Sequence, residues 1–130
     1  REEFNKKYGF LKSSVCQGMV WCFWHTLLWI VDSDFTDWRA IPYIISNIVV
    51  ITSITILMNI FLERYNNLLY SVLLHFGFNI LYVFLDADIG FFVILTVLYL
   101  VITPIAVLAR NKTAEGLLKK NNSGERKSKE

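Results

Sequence analysis

Several common architectures find little support in this sequence. Its two cysteines, Cys16 and Cys22, lie six apart on one expected helix, a spacing that serves neither a disulfide within that helix nor a metal pair, so both are expected to be packing residues. The hydrophobic stretches lack the polar–apolar alternation that a membrane β-barrel requires. The formal net charge is only +2, and the basic residues form no aromatic-interleaved face, so a nucleic-acid partner has no footprint here. No internal repeat is visible. The segment Arg1–Lys12 has neither the apolar core nor the small-residue cleavage site of a signal peptide, and Tyr8–Leu11 gives it the character of a membrane-surface lead-in.

Apolar length is what the sequence has instead. Of its 130 residues 55% are hydrophobic and 15% aromatic, and the mean hydropathy is +0.44, which is too apolar for an ordinary soluble domain. A spanning helix needs about 17–25 mostly apolar residues to cross roughly 30 Å of hydrocarbon. Stretches at about 13–31, 43–62, 68–85 and 90–109 meet or approach that length. Backbone polar groups facing lipid must be paired within their own segment, so these stretches are expected to be helices. The expected fold is therefore all-α: a polytopic transmembrane bundle of about four spans over 13–109, after a cytoplasmic lead-in at 1–12. Pro104 is expected to kink the fourth span. The basic segment 110–130, rich in Lys, Asn, Ser and Glu, is expected to be a cytoplasmic tail, disordered beyond Leu118.

Charge supplies the orientation. With both termini inside, the cytoplasmic segments carry Arg1, Lys6, Lys7, Lys12, Arg64 and the seven basic residues from Arg110 onward, which is twelve of the thirteen Lys and Arg. Outside remain Arg39 with Asp32, Asp34 and Asp37, and a second turn with Asp86 and Asp88. A three-span arrangement does not sort the charge in this way. The expected location is an integral membrane position, in a bacterial cell membrane.

Ionisable side chains within spans are costly and face bundle interiors or water-filled cavities, which makes them functional candidates. The spans contain two, His25 and His75, and Asn79 follows His75 by one turn on the same helix face. At about 1.5 Å per residue from the cytoplasmic ends, His25 lies roughly 18 Å deep, His75 about 10 Å and Asn79 about 16 Å, so the three can meet near mid-membrane. Each could instead be a satisfied interhelical hydrogen-bonder. Asn47 and Asn59 in the second span are taken as packing residues, and Trp21, Trp24, Trp29 and Trp38 as packing or interfacial aromatics.

At these residues the sequence resembles the CPBP family of intramembrane proteases, which includes the prenyl-protein (CAAX) proteases and the bacteriocin-processing and self-immunity proteins. The family's motifs are a Glu-Glu pair followed by Trp-Arg, then Phe-x-x-x-His, then His-x-x-x-Asn or His-x-x-x-Asp. Residues 6–25, ending in Trp-Cys-Phe-Trp-His25, resemble the second motif and its lead-in, with Trp21 at the Phe position; residues 62–79, ending in His75-Phe-Gly-Phe-Asn79, resemble the third. Glu2 and Glu3 form a pair, but Lys6 stands where the family has Arg and no Trp precedes it, so the motif's Glu pair is expected upstream of Arg1.

The resemblance implies an intramembrane endopeptidase, with His25 helping to activate a water and His75 and Asn79 donating to the oxyanion formed on a peptide carbonyl. The substrate would be a prenylated protein, a leader peptide or another membrane-associated segment. A divalent metal such as zinc, with His25 among its ligands, is compatible with this chemistry, although His-Glu-x-x-His spacing is absent. Two other classes stay open: a non-catalytic peptide-binding or bacteriocin-immunity protein of the same fold, and a haem- or quinone-binding protein using both histidines.

Overall fold

The computed structural model describes residues 7–32, 37–84 and 88–127. Among them four helices follow in order, α1 Phe10–Asp32, α2 Ala40–Tyr65, α3 Leu68–Phe84 and α4 Ile89–Lys127, with no strand. The all-α helical bundle expected from the sequence is what the chain forms. Glu2, Glu3, Lys6, Asp34, Leu85 and Asp86 lie outside the described residues, as does the side chain of Trp29.

Local chemistry sets the boundaries. Gly9 adopts φ +79°, a left-handed conformation that costs a residue without a Cβ little, and the Ser13 N–H returns to its carbonyl at 3.1 Å to open α1. The pair Asn66-Asn67 performs two tasks in one turn. Asn66 sits at φ 47°, ψ 34° with its N–H on the Leu62 carbonyl, a left-handed stop for α2, while the Asn67 carboxamide oxygen accepts the Leu69 N–H at 2.9 Å and starts α3. Asp88 caps α4 by accepting the Phe91 N–H at 2.9 Å. Before α2, Asp37 accepts both the Arg39 backbone N–H and its guanidinium, and these hydrogen bonds hold its carboxyl below the usual carboxylate range.

The carboxyl-terminal segment departs from expectation. The helix of α4, with Pro104 inside it, runs on to Lys127, where composition had suggested disorder beyond Leu118. A span already nucleated can be propagated by Lys, Leu and Glu at little cost per residue, because the expensive step of helix formation is the first turn.

α2 is the hub. It packs along α1 and α4 and over a shorter stretch on α3, whereas among the described residues α1 and α3 do not approach at the backbone level. Tyr43 of α2 meets Phe92 of α4 edge-on at 4.9 Å, in a cluster with Cys22 and Ile51. Gly18 of α1 lets the backbones close together: a Cβ there would stand 2.9 Å from the Thr52 Cα.

The distribution of polarity is inverted relative to a soluble protein. Ser14, Ser46, Asn47, Ser53, Thr55 and Asn59 are buried, while Ile94, Val97, Val101, Ile105 and Leu108 of α4 are more than half exposed. Several buried groups are satisfied within their own helix, Thr55 donating to the Ile51 carbonyl and Asn47 to that of Tyr43. Small polar residues inside and large apolar residues outside suit a lipid solvent. By length and composition α2 and residues Ile89–Gly116 of α4 can each cross a bilayer, with mean hydropathies of 2.1 and 2.7. At one end of the bundle Arg110 fastens three helices: its guanidinium donates to both Glu63 carboxylate oxygens and lies 3.8 Å over the Phe10 ring.

Candidate active site

His25 projects from α1 and His75 from α3, and the indole of Trp21 touches both. Its ring centroid is 5.7 Å from that of His25, edge-on, and 4.9 Å from that of His75. The two imidazoles can therefore be no farther apart than these distances laid end to end. Among the described residues α1 and α3 make no backbone approach, so side chains span the gap between them.

Each ring has one hydrogen-bond partner that orients it. Nδ1 of His25 lies 2.9 Å from the Trp21 carbonyl oxygen, which can only accept, so Nδ1 carries a hydrogen and donates it there. In the neutral ring this leaves Nε2 as the nitrogen that can act as a base. On α3 the Asn79 carboxamide donates to Nε2 of His75 at 3.1 Å, and an amide nitrogen cannot accept, so this imidazole is neutral with its hydrogen on Nδ1. His75 Nδ1–H and the second Asn79 N–H then remain as donors. The i, i+4 spacing anticipated from the sequence is what permits the bond.

Beside this cluster a half-open cavity of about 590 Å³ lies among α1, α2 and α3. Trp21 and Trp24 are part of its mostly apolar wall, and Gln17, Thr55, Asn59 and Ser71 supply polar groups. Trp21 thus belongs to both the cavity and the imidazole cluster. Asn59, expected only to pack, donates to Ser14 Oγ and to Gln17 Oε1, each at 3.1 Å. Gln17 was not foreseen as a site residue, although it could have been: Gln17, Trp21 and His25 fall at i, i+4 and i+8 on one face of α1.

Metal ligation by His25 lacks companions. No three His, Cys, Asp or Glu side chains come together among the described residues, and a catalytic zinc takes three protein ligands. The described residues do not make that ligand set, and Glu2 and Glu3 lie outside them.

No curated protein and no solved structure matches the chain. A family model does: type II CAAX prenyl endopeptidase Rce1-like, over residues 2–81, a range that contains His25, His75, Asn79 and the whole cavity wall. Covering well over half of the sequence, that match shows that the chain belongs to the Rce1-like type II CAAX prenyl endopeptidase family, whose members are intramembrane proteases.

Proposed function

We propose that this chain is the histidine-bearing part of an intramembrane endopeptidase that hydrolyses a peptide bond of a membrane-associated substrate, a prenylated protein first among them. Four helices cross the bilayer in this reading, with both termini cytoplasmic, as the distribution of Lys and Arg favours. The observation that carries the proposal is Trp21 held against both imidazoles at the edge of a cavity, with His25 hydrogen-bonded through Nδ1 to the Trp21 carbonyl and His75 through Nε2 to Asn79.

In the proposed reaction a water hydrogen-bonded to His25 Nε2 attacks the peptide carbonyl as the imidazole takes its proton. The second Asn79 N–H donates to the oxyanion, and His75, accepting the first at Nε2, holds the carboxamide in place. Collapse of the tetrahedral intermediate breaks the C–N bond, and the imidazolium returns its proton to the departing amine. Trp21 and the apolar cavity wall limit bulk water beside the reacting groups, which strengthens these hydrogen bonds.

The test is turnover of an S-farnesylated peptide by the full-length protein in nanodiscs, comparing wild type with His25→Ala, alongside peptide affinity and thermal stability. Loss of turnover with stability and affinity kept supports the protease. Wild-type protein that binds the peptide and never cuts it would favour the peptide-binding or immunity class.

A further inference from the structure

Two carboxamides at the cavity are unexplained by the hydrolytic chemistry. Asn59 is buried, and its nitrogen donates to two acceptors at once, Ser14 Oγ and Gln17 Oε1, both at 3.1 Å. That arrangement fixes the orientation of the Gln17 side chain. With Oε1 engaged by Asn59, the Gln17 amide nitrogen is the group left over, and it has no partner among the described residues. A wall otherwise dominated by aromatic and aliphatic groups therefore carries one oriented pair of N–H donors. Donors in such a setting select an acceptor, because burying an oxygen beside them satisfies both sides whereas an apolar or donor group leaves them unpaired.

Position says which acceptor. Gln17 and His25 are eight residues apart on one face of α1, about 12 Å along the helix at 1.5 Å per residue. An extended peptide advances about 3.3–3.6 Å per residue, so that interval is roughly three to four residues of substrate. Trp21 lies midway, touching the imidazoles and lining the cavity.

We infer that Gln17, oriented by Asn59, is a specificity-determining residue that donates a hydrogen bond to a main-chain oxygen of the substrate, three to four residues from the scissile bond. This assignment rests on the endopeptidase reading of the same site. A peptide carbonyl and a terminal carboxylate present the same acceptor chemistry at that place. Gln17 lies outside the proton-transfer path, so it acts on substrate affinity rather than on the chemical step.

The experiment uses full-length protein in nanodiscs with Gln17→Glu and Gln17→Met. Both keep the side-chain length; the first retains an acceptor for Asn59 but offers no N–H, and the second offers neither. The probes are dye-labelled S-farnesylated peptides ending three residues after the scissile bond, as free acid and as amide, and the same peptides extended by four residues. Expected for both variants is a rise in KM of about ten-fold, with kcat changed less than about two-fold and unfolding temperatures close to wild type. A penalty restricted to the free acid identifies a terminal carboxylate; an equal penalty for all peptides identifies an internal carbonyl. Affinity for the hydroxyethylene isosteres of these peptides is measured in parallel, so that absent cleavage would overturn the endopeptidase reading while the affinities still judge Gln17. Unchanged KM and unchanged isostere affinity in both variants would overturn the assignment.

Discussion

Replacing Gly18 by alanine measures how tightly α1 is seated on α2. The new Cβ would meet the Thr52 Cα at 2.9 Å, and the Thr52 Cβ and Cγ2 at 3.3 Å. Carbon atoms rest at about 3.5–4.0 Å, so one helix must withdraw by roughly 0.6–1 Å, and the obstructing atom is backbone, which no rotamer change can move. Withdrawal would also open the Cys22 thiol's contacts one turn on, at 3.6 Å to the Ile48 carbonyl and 3.8 Å to Thr52 Oγ1. Overpacking of this kind costs about 1–3 kcal/mol, against a gain of about 0.5–1 kcal/mol from replacing a helical glycine. Gly77 provides the control, since a Cβ there meets nothing within 4 Å and only the gain applies. Thermal unfolding in nanodiscs should therefore show Gly18→Ala less stable than wild type by about 1–2 kcal/mol and Gly77→Ala equal or slightly more stable. Equal stability of the two variants would refute the close approach of α1 and α2, and with it the placement of His25 and Trp21.

Turnover should fall about 10²–10³-fold in Asn79→Ala with little change in peptide affinity, the scale of losing one oxyanion donor; a variant destabilised but fully active would make Asn79 a packing residue. Asn59→Leu should lower stability by about 1 kcal/mol, since it breaks the bonds to Ser14 and Gln17 between α1 and α2, and unfolding measurements decide it. Asp37, held below the ordinary carboxylate range by its hydrogen bonds to Arg39, contributes stability above its unfolded pKa that is lost as pH falls through the lower folded value; Asp37→Asn should flatten that acid slope in thermal melts. A reporter fused after Glu130 that works only outside the cell should stay silent, and activity there would invert or remove the four-span arrangement.

Apolar length and charge placement were enough to read helices from the sequence, because lipid tolerates no unpaired backbone and a helix is the solution each segment can reach alone. Motif spacing likewise placed His75 and Asn79 on one face, since i and i+4 meet in any helix, and the Asn79–His75 bond needs nothing else. Caps were legible in the same local sense: Asn66, Asn67 and Asp88 act on residues two to four positions away. Trp21 and Asn59 read as packing residues for a physical reason. An aromatic or carboxamide within a span has the same local signature whether it faces lipid, a neighbour or a cavity, and only the seating of α1 and α3 on α2 distinguishes these. Tertiary structure decided that Trp21 would touch His75 on another helix, that Asn59 would orient Gln17, and that α1 and α3 would stay apart enough to leave a cavity between them. Those outcomes depend on which helix faces interlock, fixed by the close approach at Gly18 and by the Tyr43–Phe92 contact, pairings between residues far apart in sequence that no local pattern encodes.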